Sequence, residues 1–136
     1  MKFFNRDSLD YEFKEKLEAG LALSGSDAKS LRTQGVQFNG SKVEIIDGIP
    51  IVFNLTIEKY KFSQNQETDT TGERKLLLSG KEVAKLLSLR NQKYMIIPIS
   101  IYLKKNWFKM EIGVGRKLRK YEKRDKIKAK EAKKSL

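Results

Sequence analysis

Val43-Glu44-Ile45-Ile46-Asp47-Gly48-Ile49-Pro50-Ile51-Val52-Phe53-Asn54-Leu55 reads as two β-rich runs joined by Asp47-Gly48. A two-residue hairpin turn of the favoured hand needs positive φ at both central positions, and Asp-Gly adopts them at low cost. The stretch therefore predicts an antiparallel hairpin. Pro50 has no N–H to give to a ladder, so it predicts an edge position.

The same signal returns downstream. Residues 94–103 and 107–113 flank Lys104-Lys105-Asn106 and predict a second hairpin. In its second arm Phe108, Met110 and Ile112 share one face, and Trp107, Lys109 and Glu111 the other. Residues 10–23 are ambiguous. Glu and Lys favour helix, yet Tyr11, Phe13, Leu17, Leu21 and Leu23 fall on odd positions, as in a strand. Residues 27–33 predict a short helix, with Ser26 or Asp27 near its start and Gly35 after its end. Ser79-Gly80-Lys81-Glu82 matches a capping box, and the helix behind it would present Val83, Leu86 and Leu87 on one face. The polar stretch 60–73 reads as an exposed loop. Strands outnumber helices and hairpins join them. The predicted fold is mostly β: a small antiparallel, OB-like β-barrel with two or three short flanking helices.

The 136 residues fit one compact domain with a tail. The chain has no Cys and no His. That excludes disulfides, thiol nucleophiles, imidazole proton shuttles and the usual structural zinc sites. No metal or cofactor is expected. Paired carboxylates such as Asp10 with Glu12, or Glu15 with Glu18, read as solvated surface, because nothing marks them as buried. No run approaches 18 apolar residues, and the first residues lack an apolar signal core, so a cytoplasmic location without membrane contact is the expectation.

Charge is distributed unevenly. Of the formal net charge of +12, residues 115–136 carry +8, with eleven Lys or Arg against three Asp or Glu. A break near Gly115 thus divides the chain into a body, 1–114, and a basic tail, 115–136. The tail is too poor in apolar residues to offset its ordering entropy alone, so it is expected to become helical only when a partner organises it. A strongly basic chain points to a polyanion, above all nucleic acid. Tyr121, within Arg119-Lys120-Tyr121-Glu122-Lys123-Arg124, suits base stacking between phosphate-binding neighbours. Trp107 is either a second-face core residue or a stacking platform, and the usual burial of Trp favours the core. Lys29, Arg32, Lys104, Lys105 and Lys109 would extend a basic surface on the body. Gly113-Val114-Gly115-Arg116-Lys117 lacks the spacing of a phosphate-binding loop and reads as a flexible exit from the last strand.

These residues also carry a resemblance. Asp10-Tyr11-Glu12, Glu18-Ala19-Gly20, Lys29-Ser30-Leu31-Arg32, Arg74-Lys75-Leu76-Leu77-Leu78, Asn106-Trp107, Lys109-Met110-Glu111-Ile112-Gly113 and Tyr121-Glu122-Lys123-Arg124 follow one another as in the SsrA-binding protein (small protein B) family. The likeness covers nearly the whole chain. It implies a non-enzymatic bacterial RNA-binding adaptor of trans-translation with an OB-like barrel. Such a protein binds the tRNA-like domain of transfer-messenger RNA (tmRNA, SsrA RNA) and delivers it to stalled ribosomes, while its tail senses the empty mRNA channel. By this resemblance Asn5, Glu18, Lys29, Arg32, Leu77, Ser79, Trp107 and Lys109 are the candidate tmRNA-binding residues. Arg119, Lys120, Tyr121, Lys123, Arg124 and Lys128 are candidates for the decoding centre and mRNA channel of the small-subunit rRNA. A monomer is implied. The sequence departs from the family pattern where no His precedes Asp10, where Ser79 stands for Asn or His, where Glu122 stands for Asp, and where Lys117-Leu118-Arg119 lacks a Gly. The alternative class is a ribosomal protein or general RNA chaperone of the same fold.

If phosphate contacts carry affinity, RNA binding falls linearly on a log–log plot against salt, by orders of magnitude between about 50 and 200 mM for a chain making several such contacts. Filter binding across that range tests this, and a flat line refutes a phosphate-based interface.

Overall fold

The computed structural model describes residues 2–57 and 72–119. In chain order it has β1 (Lys2–Phe4), a 3₁₀ turn (Arg6–Asp10), β2 (Tyr11–Leu21), α1 (Gly25–Thr33), β3 (Val36–Ile46), β4 (Ile49–Ile57), β5 (Arg74–Leu77), α2 (Gly80–Asn91), β6 (Met95–Lys104) and β7 (Trp107–Lys117). Every strand pairing is antiparallel. The order β6-β3-β4-β5-β2-β7 closes on itself through β6–β7, which makes a six-stranded barrel with β1 added along β6. This is the OB-like barrel that the hairpin pattern predicts.

Both hairpins form as read. Asp47 and Gly48 have φ of 51° and 78°, and Lys105 and Asn106 have φ of 50° and 67°. Both turns therefore twist with their strands. Pro50 is not on an edge strand. It pairs with Ile45 on β3, and β5 meets β4 only at Ile51 and Val52, so the ladder ends just where Pro50 would have to donate.

Residues 10–23 resolve as strand β2, with a register shift between Phe13 and Glu15. The shift explains the ambiguity. Phe13 opposes Gly115, whereas Leu17 and Ala19 oppose Ile112 and Met110 of the core. A bulge thus moves the odd positions from one face to the other part-way along the strand. The first helix begins at Gly25, capped by Ser24, whose hydroxyl accepts from the Asp27 N–H at 3.0 Å, rather than at Ser26 or Asp27. Gly35 follows its end with φ of 86°. The capping box at Ser79 and Glu82 is present in both directions. On α2, however, Leu86 and Leu89 are buried and Leu87 is exposed. The core-facing stripe is i, i+3 and turns away from Leu87. Stretch 60–73 lies outside the described residues except for Gly72 and Glu73.

The core fills the barrel with Ala19, Val43, Val52, Leu55, Leu76, Ile96, Ile101, Met110, Ile112 and Val114. Leu31 of α1 and Leu86 and Leu89 of α2 join the same cluster. Because β3 and β6 are antiparallel, the helices that lead into them lie at opposite barrel ends. Lys85 pairs with Glu15, and Arg90 with Glu44, which ties α2 to β2 and β3.

Gly113 and Gly115 are not a flexible exit. Both lie within β7 and are buried. A Cβ on Gly113 would stand 2.5 Å from the Phe13 ring, and one on Gly115 1.9 Å from the Glu12 carbonyl oxygen. The strand also runs on to Lys117, with Leu118 buried and its N–H bonded to the Asp10 carbonyl at 2.8 Å. The composition break near Gly115 therefore falls inside the last strand.

Gly115→Ala should cost about 3 kcal/mol or more, because the obstructing atom is backbone and cannot rotate away. Thermal unfolding would drop by about 10–20 °C for a domain of this size. Gly25→Ala, with nothing within 4 Å, is the control. Equal midpoints for the two variants would refute the packing argument.

Candidate nucleic-acid interface

Register pairs lay one row of residues across five strands. Lys2 opposes Tyr102, Tyr102 opposes Lys109, Lys109 opposes Gly20, and Gly20 opposes Leu77. Directly opposed residues point to the same side of a sheet, and here that side is the outside, since Trp107 and Leu77 on it are 73% and 64% exposed. Phe108, Met110 and Ile112 fill the other face. Trp107 is thus a surface platform and not a core residue. Position 107 alternates with the buried 108, so the strand period overrides the general tendency of Trp to be covered.

Leu77 leans over Gly20. A Cβ at that glycine would sit 3.1 Å from the Leu77 Cβ, so the small residue permits the close approach of β5 and β2. Glu18 lies one step along β2, opposite Glu111. Tyr102 donates its hydroxyl proton to Glu18 Oε2, and Lys104 Nζ lies 3.4 Å from Oε1. The Tyr102 hydrogen bond, with further help from Lys104 and Lys109, holds the Glu18 carboxyl below its ordinary range. Burial, then the neighbouring Glu18 and Glu111 charges, push the Tyr102 phenol above its usual value. Near neutral pH the pair is therefore a carboxylate accepting from a neutral phenol.

Helix α1 borders this face. Its Arg32 guanidinium lies 5.9 Å from the centroid of the Phe108 ring at the start of β7, a cation–π distance, and Arg32 and Lys29 are exposed. Glu18, Leu77, Trp107, Lys109 and the α1 pair are thus gathered on one side and one end of the barrel. Two expected residues stand apart. Asn5 is 2% exposed. Its Nδ2 donates to the Pro98 carbonyl at 2.7 Å, and its Oδ1 accepts from the Asp7 N–H at 3.1 Å. It anchors the 3₁₀ turn to β6 and presents nothing outward. The Ser79 hydroxyl accepts from the Glu82 N–H in the capping box of α2. Arg119 is exposed beyond the end of β7. Lys120, Tyr121, Lys123, Arg124 and Lys128 lie outside the described residues. Among the described residues no group of three or more acidic side chains forms a metal-binding cluster, and no helix is long and apolar enough to cross a membrane.

The SmpB protein family model matches residues 4–136. The chain belongs to the SmpB family. An SsrA-binding protein of Lactobacillus johnsonii is 40% identical over 122 residues, covering 89% of this chain and 81% of that relative. One of Ruminiclostridium cellulolyticum is 38% identical over 128 residues, covering 93% and 83%. A solved chain described as "tmRNA-SmpB: a journey to the center of the bacterial ribosome" superposes with a TM-score of 0.71 at 34% identity, covering 93% of this chain and 94% of that one. In this SmpB-family chain, sequence reading missed Tyr102, which only the Tyr102↔Lys109 register brings beside Glu18. Its signal was faint: a lone aromatic between Ile101 and Leu103, on the face opposite theirs.

A buried ion pair joins the two edges of this surface. Arg74 at the start of β5 donates to Asp27 in the first turn of α1 through Nε at 3.0 Å and Nη2 at 3.2 Å, and both side chains are 4% exposed. The pair borders a cavity of about 370 Å³. It holds the helix bearing Lys29 and Arg32 against the strand bearing Leu77. Arg74→Met strands a buried carboxylate and should cost about 3–5 kcal/mol, while a double apolar replacement of Asp27 and Arg74 should be far milder. Urea midpoints check this, and a double variant as unstable as the single one would refute it.

Proposed function

We propose that this protein is the RNA-binding adaptor of trans-translation. It binds the tRNA-like domain of tmRNA and delivers it to stalled bacterial ribosomes in the cytoplasm, without catalysing a reaction. The observation that carries this reading is the exposed β5-β2-β7-β6 face, with Trp107, Leu77, Lys109 and the Arg32 helix gathered on it, in a chain matched by the SmpB family model over residues 4–136. An aromatic platform among cations suits a folded RNA whose unstacked bases and backbone are met together.

The basic segment of residues 115–136 takes a separate role in this proposal. Its +8 charge orders only where phosphates surround it, as in an mRNA channel left empty. An occupied channel excludes it, which gives discrimination without chemistry. Arg119, Lys120, Tyr121, Lys123, Arg124 and Lys128 would make those contacts. Because β7 runs to Lys117 and Leu118 is buried, the part that acts in the channel starts beyond Leu118.

Two experiments test this. Capture of the full chain from its cells, with sequencing of bound RNA, should return one dominant RNA with a tRNA-like end. A broad rRNA or mRNA mixture would favour the ribosomal or chaperone class instead. Truncation after Arg119 should leave binding of the tRNA-like domain within about threefold and abolish tagging of proteins from stalled ribosomes. Equal loss of both would refute the division of labour, which predicts little change in the phosphate contacts of the body.

A further inference from the structure

Glu18 and Glu111 stand directly opposite each other on β2 and β7, on the outer face that also bears Lys109 and Trp107. Like charges in opposed positions destabilise a sheet, and carboxylates repel the phosphates such a face should attract. The fold has no use for Glu18 in its core. Yet both oxygens of Glu18 face donors from β6, Tyr102 on Oε2 and Lys104 on Oε1, reaching across β7. A surface side chain that breaks two local rules and is braced by two neighbours is the kind of exception expected at a functional site.

We infer that Tyr102 and Lys104 are positioning residues that hold the Glu18 carboxylate as a fixed hydrogen-bond acceptor, which selects RNA by a non-phosphate donor. That donor is an O–H or N–H group, a ribose 2′-hydroxyl or the amino edge of an unpaired base. The inference rests on the adaptor reading of this surface and deepens it.

The chemistry follows from the side chains. An ionised carboxylate accepts and never donates, and each oxygen has more than one acceptor site. Tyr102 and Lys104 therefore fix the group without saturating it. The carboxylate cannot gain from phosphate, so its share of binding energy comes from donors alone, and those distinguish RNA from other polyanions. Neighbouring Lys109 and Trp107 provide the phosphate and stacking contacts that carry no such information. The groups facing Glu18 are Tyr102 and Lys104 from β6 and Lys109 and Glu111 from β7. Desolvation opposes its ionisation, and the Tyr102 hydrogen bond with the two lysines outweighs it, so the brace keeps Glu18 charged opposite Glu111.

The test measures affinity of the full chain for the tRNA-like domain of tmRNA across a salt series. Glu18→Gln, which keeps the shape and loses the charge, should weaken binding about 10- to 100-fold, the range for a hydrogen bond to a charged group, with an unchanged salt slope. Lys109→Met should weaken it and lower the slope by about one. Tyr102→Phe should weaken binding about 3- to 10-fold, short of the full loss of a charge-assisted bond. It should also raise the Glu18 carboxyl titration midpoint, read by carbon NMR, with little change in thermal midpoint. Site-specific 2′-deoxy substitution and inosine for guanosine then separate the two donor sources, since the matching one should abolish the Glu18→Gln effect. Several results would overturn the inference: unchanged affinity in Glu18→Gln, a slope change equal to that of Lys109→Met, or a Tyr102→Phe variant altered in stability but not in titration or affinity. Failure of the wild-type chain to bind the domain would instead overturn the adaptor reading beneath it.

Discussion

Strand β7 pairs with β2 from Lys109 to Lys117 and with β6 from Trp107 to Gly115, so the barrel closes through it. That closure depends on two missing side chains. At Gly113 the Phe13 ring occupies the space of a Cβ, and at Gly115 the Glu12 carbonyl does. A bulge in β2 beside this contact turns the strand and moves its core-facing positions from one parity to the other. Tyr11 stacks along Phe13, with centroids 6.2 Å apart. The outer face inherits its register from the glycine contact: a one-residue slip of β2 would put Glu18 inside, and one of β7 would put Lys109 and Trp107 inside.

The candidate interface is built on strands with its edges held by a helix. Strands make the row from Lys2 to Leu77 stiff, since Tyr102, Lys109 and Gly20 are each held between two cross-strand neighbours. The Asp27–Arg74 pair locks α1 to β5 in a fork geometry, and such a pair gives orientation more than net stability. Arg32 over Phe108 repeats the tie at the start of β7. A protein that reads the shape of a folded RNA gains from this stiffness, because little ordering is left to be done on binding.

In the adaptor reading the basic segment works by the opposite principle. Its proposed channel-binding part lies beyond Leu118, whose N–H is bonded to the Asp10 carbonyl. Under that reading, recognition on the body and conditional ordering of the segment respond to different states of the same large partner. In the adaptor reading, the barrel engages RNA at all times and the segment engages only a vacant channel.

Much of this was legible in the residue order. Asp47-Gly48, the Ser79 capping box and the 107–113 alternation are local rules, set by φ preferences, a reachable side chain and a two-residue period. They were enough to name the barrel, and the absence of Cys and His was enough to exclude thiol nucleophiles and imidazole proton shuttles. The ordered motifs from Asp10 to Arg124 were enough to name the family. What sequence could not decide were relations between strands distant along the chain. The burial of Asn5, the exposure of Trp107, the close approach at Gly115 and the meeting of Tyr102 with Glu18 all depend on which residues closure sets opposite one another. Periodicity says that a side chain faces one way or the other, but only the closed barrel decides which way is out.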